Sequence, residues 1–361
     1  MEKKLIVLAV LFAVSSLSYA QSNLTLYGSL STGLGFVSNE HGGRAYPTDD
    51  SLYIPSFWGV RGSEDLGGGL KAVFDLASVF LVSSGKTPVP GQLFKFDSYV
   101  GLDSNRYGRL TFGNQWTFDF TYLGPFSNQY AAGSFYAAHP GNIDELANLY
   151  QWQNSVKYVS PDYKGLTAAA SLGLGGQAGN FANGRTYGFA VHYTQGSLTA
   201  AATYESENNR YLEGASFIGL PQLFGTPITP GTALVVDNVR NWGAGTSYQI
   251  GPVTVRGLFT QTHLTQGAES ATINSGDIGA MLQTSPFNFV NAGAGMSKLA
   301  GGRWTTLILN DSYHLSKRTT VYGTLTCQMA SGNGAVASMD GAQPASGHHQ
   351  IGVGVGTQHW F

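Results

Sequence analysis

The sequence predicts an all-β fold, a transmembrane 16-stranded antiparallel β-barrel. Composition is the first observation behind this prediction. The chain has 49 Gly, 12% aromatic residues and only 11% charged residues, whereas soluble proteins average about 25% charged residues and about 7% Gly. Its mean hydropathy is nevertheless near zero. Apolar and polar residues must therefore be finely interleaved, which is typical of strands with two different faces.

Strand periodicity is the second observation. Near the N-terminus one phase is apolar and the other is polar and small. The apolar phase holds Leu24, Leu26, Leu30, Leu34 and Phe36, and the polar phase holds Thr25, Tyr27, Ser29, Ser31 and Gly33. Alternation alone does not separate a soluble barrel, whose apolar face points inward, from a membrane barrel, in which the sense is inverted.

The length of these stretches is the third observation, and it favours the membrane. They run about 10 to 14 residues, enough for a tilted strand to cross a bilayer, whereas soluble strands cluster near 5 or 6. Short connections alternate with longer ones, so one end of the barrel carries short turns and the other end carries long loops. The short connections are 63–68, 104–106, 161–165, 196, 251–252, 285–286 and 316–318.

These connections divide the chain into sixteen strands. The predicted strands are 24–37, 51–62, 69–82, 92–103, 107–116, 151–160, 165–176, 184–195, 197–206, 237–250, 252–264, 272–284, 287–298, 303–315, 319–330 and 348–361. The last strand puts Ile351, Val353, Val355 and Phe361 on its apolar phase. An even count closes an antiparallel barrel, and about sixteen strands leave an aqueous lumen.

The first residues predict export. Lys3 and Lys4 precede an apolar run over 5–14, and Ser18 and Ala20 supply small residues at the −3 and −1 positions. This pattern predicts a signal peptide over residues 1–20 and a barrel over 21–361. The apolar run is too short to cross a bilayer as a helix, which needs about 20 residues. No later segment is long enough either, so we expect strands alone to cross the membrane.

Several motifs then resemble a known family. They include Leu24-Thr25-Leu26-Tyr27-Gly28, the run from Trp58 to Ala72, Tyr99-Val100-Gly101-Leu102, Tyr122-Leu123-Gly124-Pro125, Asn154-Ser155-Val156-Lys157-Tyr158, Leu315-Ser316-Lys317-Arg318-Thr319 and the closing His359-Trp360-Phe361. Together these stretches resemble the general porins of β-proteobacteria, such as those of Burkholderia, Bordetella and Neisseria. The matches extend from end to end of the expected mature chain.

The resemblance implies a homotrimer in the Gram-negative outer membrane, surrounded by lipid and lipopolysaccharide, through which small solutes and ions diffuse. It also implies that the third external loop, Thr117 to Tyr150, folds into the lumen as the constriction. Porins of this family are often anion-preferring, with lumen arginines opposite acidic loop groups, a form of electrostatic selection.

The chain departs from the family at four positions where the resemblance implies arginine. They hold Phe57, Phe96, Asn114 and Gln151. Between Arg109 and Lys157 there is no Lys or Arg, while the segment contains three acidic residues and many aromatic ones. The expected constriction comprises Phe57, Arg61, Lys71, Phe96, Arg109, Asn114, Asp119, Asp144, Glu145 and Gln151.

We expect this constriction to be aromatic and neutral to weakly acidic. It should lack strong anion preference and favour neutral or aromatic solutes, or cations. Alternatively, about half of the aromatic residues pack the loop against the wall or face lipid. Lys71 and Arg256 are on inward phases, but Asp311 shares the apolar phase of Leu309 and Tyr313. Asp311 is therefore expected near the rim or between protomers.

Two rival functions remain open from the sequence, a lipid hydrolase and an adhesin. The histidines are scattered and there is no Gly-x-Ser-x-Gly motif, which such a hydrolase could carry at its nucleophile. The adhesin alternative rests on the long external segment 207–236. The sequence predicts no catalytic residue, cofactor or metal ligand set, and no concentrated basic face of the kind that binds nucleic acid.

Overall fold

The computed structural model describes residues 23–50, 52–147, 150–229, 231–232 and 234–361. The predicted signal peptide, residues 1–20, lies outside the described residues. Sixteen long strands form one closed antiparallel sheet, as the sequence predicts. Two short strands, Gly43–Ala45 and Thr48–Asp49, pair with the first long strand.

The long strands are numbered β1 to β16 in chain order. They are β1 (Asn23–Glu40), β2 (Phe57–Gly67), β3 (Leu70–Val79), β4 (Ser98–Ser104), β5 (Gly108–Trp116), β6 (Gln151–Val159), β7 (Leu166–Gly173), β8 (Thr186–Gln195), β9 (Leu198–Leu212), β10 (Leu234–Ile250), β11 (Val253–Gln266), β12 (Glu269–Ser285), β13 (Asn288–Leu299), β14 (Gly302–His314), β15 (Thr319–Ser331) and β16 (His349–Trp360).

Each strand pairs with the next, and β16 returns to β1 to close the barrel. The closing register runs from Ser29 opposite Trp360 to Val37 opposite Gly352. Phe361 extends the seam, because its backbone N–H donates to the Gly28 carbonyl at 3.1 Å and its carbonyl accepts from the Gly28 N–H at 3.3 Å. A closed sheet leaves no unpaired edge, which a lipid environment requires.

The two faces of the wall have the sense of a membrane barrel. Large apolar side chains stand exposed on the outward phase, among them Leu24, Leu34, Val100, Phe189, Ile278, Leu309 and Val355. The inward phase carries small polar residues such as Ser29, Ser31, Thr111, Ser155 and Thr203, and these are buried. A soluble barrel would have the opposite arrangement. Within the described ranges, no helix is long and apolar enough to cross a membrane.

Two predicted strands start too early. The strand predicted from residue 51 begins at Phe57, and the one predicted from 92 begins at Ser98. The residues before these strands turn over the lumen instead, and Tyr53 stacks on Tyr322 of β15 with ring centroids 4.4 Å apart. Pro55 has no N–H to give to a ladder, so it favours the end of strand pairing at this point.

The external segment 207–236 was predicted as one loop, but both its ends are strand. β9 runs to Leu212 and β10 starts at Leu234. The remaining loop packs its Ile218, Leu220 and Leu223 into a buried cluster with Trp304 and residues from the loop between β15 and β16. This packing fixes the loop against the loop between β15 and β16.

Candidate functional site

The inserted loop, described at 117–147 and at Tyr150, folds inside the barrel between β5 and β6, where the resemblance to the porins places it. It consists of short helical turns, including one π-helical turn (Asp119–Leu123) and a single α-helical turn, α1 (Asn128–Ala131). Leu123 and Phe126 pack against the inner wall. At Gly243 on β10, an added Cβ would lie 2.6 Å from Leu123 Cδ1, so this glycine permits the close approach.

Asp119 faces the wall, not the pore. Its carboxylate accepts a hydrogen bond from the Thr203 hydroxyl on β9, and its side chain is 1% exposed. Next to it, Glu205 accepts from the Phe118 backbone N–H at 2.5 Å. Burial raises the pKa of Asp119 to about 7, although the hydrogen bond from Thr203 acts in the opposite direction.

Asp144 also faces the wall, in a buried network centred on His139. His139 Nδ1 lies 2.6 Å from Asp144 Oδ2, and His139 Nε2 lies 3.2 Å from Asp277 Oδ1 on β12. The Thr260 hydroxyl donates to Asp144 at 2.6 Å, and the Asn128 backbone N–H donates to Asp277 at 2.8 Å. Wall and loop therefore share one set of polar contacts.

The charges of this network explain its pKa shifts. Burial alone would lower the pKa of His139, but the adjacent carboxylates of Asp144 and Asp277 outweigh it and raise that pKa well above its ordinary value. Burial alone would raise the pKa of Asp144, but the His139 imidazolium holds it below its ordinary value. The network is therefore a charged one, with a cationic His139 between two carboxylates.

Glu145 makes a third buried contact between the loop and the wall. Its carboxylate lies 2.8 Å from the Arg210 guanidinium at the end of β9, and Arg210 also pairs with Glu207. The Arg210 guanidinium stands 3.8 Å from the centre of the Tyr150 ring. Carboxylate oxygens of Glu145, Glu205 and Glu207 lie within 4.8 Å of one another, a spacing suited to a metal ion. Arg210 pairs with two of these three carboxylates, those of Glu145 and Glu207.

Asp119, Asp144 and Glu145 are therefore corrections to the expected constriction. Each is 1 or 2% exposed, so none presents its carboxylate to the pore. The physical reason is that a buried carboxylate needs donors or cations, and these come from Thr203, Thr260, His139 and Arg210. The three acids attach the loop to the wall.

The pore side of the site is lined by aromatic rings from the barrel wall and the inserted loop. Five rings follow one another across the lumen, which we name the aromatic ladder: Trp360, Phe57, Phe96, Trp116 and Phe120. Successive ring centroids are 6.0, 5.6, 4.8 and 4.5 Å apart. The ladder borders a chamber of about 480 Å³, also lined by Leu52, Tyr53, Ile54, Pro55, Ala77 and Asp97. Two of its rings, Phe57 and Phe96, stand where the resemblance implies arginine.

A second, polar chamber lies next to the first. It has a volume of about 360 Å³ and its lining includes Arg61, Asp75, Tyr99 and Arg109. Tyr27, which lines the aromatic chamber, donates to Asp75 at 2.5 Å, and the Arg61 guanidinium stands 4.8 Å from the Tyr27 ring centre. The structure therefore brings Arg61 and Arg109 together, beside a tyrosine–carboxylate pair that separates the two chambers.

Besides the three acids, three more expected residues, Lys71, Asn114 and Gln151, are in neither chamber lining. Lys71 is exposed near the short turn at Gly67–Gly69, opposite Asp65 and Asp103 in the sheet. Asn114 pairs with Ser98 on the outward phase, and its amide donates to the carbonyls of Lys95 and Phe96 at 3.3 and 3.2 Å.

Gln151 pairs with Trp116 at the start of β6, and its buried amide nitrogen has no hydrogen-bond partner within the described part of the chain. Of the other charges, Arg256 points inward and donates to the Asn128 side chain at 3.3 Å. Asp311 is exposed on the outward phase, three residues before β14 ends at His314.

Sequence reasoning missed Tyr27, Asp75 and Trp360. A signal for the first two was present, since Tyr27 lies on the polar phase with Thr25 and Ser29, and Asp75 lies between the apolar Phe74 and Leu76. Nothing in the local pattern indicated that Tyr27 and Asp75, 48 residues apart in the chain, would form a hydrogen bond.

Comparison with known proteins agrees with this architecture. The model of the Gram-negative porin family matches residues 7–333. Outer membrane porin protein 32 of Delftia acidovorans is 30% identical over an alignment that covers all of both chains. An outer membrane porin of Bordetella pertussis is 27% identical over 89% of this chain and 93% of its own length.

Solved structures give the same fold. The anion-selective porin from Comamonas acidovorans has a TM-score of 0.79 at 24% identity and covers 94% of this chain and 100% of its own. Outer-membrane OmpT of Vibrio cholerae has a TM-score of 0.68 at 16% identity. Neither the curated relatives nor these structures give support to the hydrolase or adhesin alternative. The chain belongs to the Gram-negative porin family and is an outer-membrane channel.

Proposed function

We propose that this porin is a passive diffusion channel with weak charge selectivity, biased toward neutral or aromatic small solutes. The observation that carries the proposal is the aromatic ladder, which puts Phe57 and Phe96 where arginines are expected. The basic side chains of the polar chamber have acidic neighbours: Arg109 pairs with Asp103 at 2.6 Å, and Arg61 is opposite Asp75 in the sheet. Such balanced charges give little net field for anions.

The selectivity of the reconstituted channel tests this proposal. In a salt gradient, the wild-type reversal potential should stay close to zero, and Phe57→Arg should shift it toward anion preference because the new charge stands in the chamber. Phe181→Arg, on an exposed external loop, is the matched control and should shift the potential little. A clear anion preference of the wild type would contradict the proposal.

We also propose a homotrimer, with the low wall of β2 to β5 at the contact between protomers. β4 has 7 residues, whereas β10 and β12 have 17 each. Seven residues rise about 23 Å along a strand, or roughly 18 Å along the barrel axis at the usual tilt, against an apolar band of about 25 Å. A neighbouring protomer would cover the part of the apolar band that these short strands do not span. The mass of the detergent-solubilised complex tests the stoichiometry.

Enzymatic activity is not part of the proposed function. The buried His139 is committed to Asp144 and Asp277, which favours an attachment role over a catalytic one. A lipid hydrolase assay with the purified protein should give no turnover above a heat-unfolded sample, and measurable turnover would overturn this part.

A further inference from the structure

We infer that the aromatic ladder is a saturable binding site for uncharged aromatic rings that carry a hydroxyl group, the phenolic class of solutes. This inference rests on the proposed channel function and deepens it. A simple pore would let such solutes pass in proportion to their concentration. A binding site would retain them in transit and so reduce ion flow up to a plateau.

The path of the ladder is the first argument. Its rings come from separate parts of the molecule: Trp360 from β16, Phe57 from β2, Phe96 from the segment before β4, Trp116 from the end of β5 and Phe120 from the inserted loop. The ladder therefore crosses from the barrel wall to the loop. Successive rings are tilted by 41 to 77°, so they do not cover each other's faces as a parallel stack would.

The shape and lining of the chamber are the second argument. A volume of about 480 Å³ lies within the range of ordinary small-molecule sites, about 300 to 1,000 Å³. The remaining walls are largely apolar, with Leu52, Ile54, Pro55 and Ala77. A single planar ring fits such a space edge-on or face-on to the ladder, and aromatic pairs of this kind add to simple area burial.

The polar groups of the lining specify the class of ring. Asp97 is the one ionisable acid of the described lining, with no Lys or Arg beside it there. Burial raises the pKa of Asp97 to about 7. Above that pH its carboxylate accepts hydrogen bonds and repels anions, so it favours a hydroxylated ring over a benzoate. Tyr27 at the edge of the chamber already donates its phenol to Asp75 at 2.5 Å. The channel thus contains, in its own side chains, the phenol–carboxylate contact that a solute would make with Asp97.

A cationic ring is less favoured because Asp97 is not isolated. The Lys157 ammonium donates to the backbone carbonyl of Trp116, a ladder residue, and its charge offsets part of the field of Asp97. The site is therefore best matched to a solute that is neutral overall and has a hydroxyl donor.

Current block in a planar bilayer tests the inference. The probe is 4-hydroxybenzyl alcohol, compared with its saturated cyclohexane counterpart and with 4-hydroxybenzoate, at constant salt. For the wild type, the probe should reduce the open-channel current hyperbolically to a plateau. The saturated compound and the benzoate should act at least about tenfold more weakly, since one lacks the ring face and the other carries a negative charge.

Variants locate the site. Phe120→Leu should raise the half-blocking concentration several-fold, whereas Phe120→Tyr, which keeps the ring, should restore it. Phe181→Leu, on an exposed external loop, is the matched control and should leave it unchanged. Equal block by the saturated compound, block without a plateau, or an unchanged Phe120→Leu would each overturn the inference. In those cases the channel still conducts and the proposed function stands, whereas absence of conductance would overturn both.

Discussion

Single carboxylates decide how the inserted loop is held. Asp119, Asp144 and Glu145 differ in their partners, a hydroxyl, an imidazole and a guanidinium, and consequently in their pKa shifts. Asp144 has a lowered pKa, while those of Asp119 and Glu145 are raised, chiefly by burial. The loop is thus attached by two charged contacts, one around His139 and one between Glu145 and Arg210. Asp119 adds a contact in which burial favours the protonated acid.

The attachment of the loop should weaken as the pH rises. An acid whose pKa is raised to about 7 on loop attachment, such as Asp119, favours attachment fully below its ordinary pKa of about 3.9 and loses that contribution as the pH rises to about 7. His139, with a raised pKa, adds a contribution that is complete below about 6.5 and is lost above it. We therefore expect open-channel current noise to rise from pH 5 to pH 9.

Asp119→Asn separates the two contributions. The amide mimics the protonated acid, so the variant should lose the rise in noise between pH 5 and 7 and keep the rise above it. Asp162→Asn, at an exposed turn, is the control and should behave as the wild type. Wild-type noise that stays flat from pH 5 to 7 would contradict the role assigned to Asp119.

One wall residue binds the loop at two points. Asp277 on β12 accepts a hydrogen bond from the Asn128 backbone N–H and contacts His139. α1 and the turn around Pro140 are thereby fixed to the same strand. The loop should behave as one unit that attaches or detaches together.

Asp277→Ala should weaken loop attachment by about 3 to 5 kcal/mol, because it leaves a buried cation without one of its two carboxylates. Single-channel recordings should show frequent transient closures, while the barrel should still unfold near the wild-type temperature. Asp311→Ala, on the outward phase of β14, is the control and should show quiet channels. A quiet Asp277→Ala channel would contradict the two-point attachment.

How far the sequence predicts these elements depends on periodicity. β5 was expected at 107–116 and spans Gly108–Trp116, since alternation is a local property of a two-faced strand. The inserted loop has no period, so nothing in its residues indicated that Asp119 would turn to the wall and Phe120 to the pore. The contact between Tyr27 and Asp75 is equally invisible in the sequence, because it depends on the register of three strands.

The seam between β1 and β16 determines whether the barrel closes. Phe361 adds two backbone hydrogen bonds to Gly28 beyond the last paired residue, and its ring covers the glycine. Each such bond contributes about 0.5 to 1.5 kcal/mol. Phe361 therefore stabilises the closed sheet, although it lies beyond the last paired residue of β16.

Deletion of Phe361 should lower the temperature at which the folded barrel unfolds, read as the loss of the fast-migrating band on a heat-modifiability gel. Phe361→Leu keeps both backbone hydrogen bonds, so it should lower the unfolding temperature much less. If the deletion and the substitution unfold at the same temperature, the backbone bonds at the seam have no measurable role.

The inserted loop separates two tasks between its two surfaces. Attachment depends on carboxylates turned to the wall, while the solute meets the rings turned to the lumen, and the two sets share no residue. We therefore expect single substitutions of the rings to change which solutes the channel passes while the carboxylate contacts of the loop stay in place. The same division makes the channel a convenient scaffold for engineering new permeability.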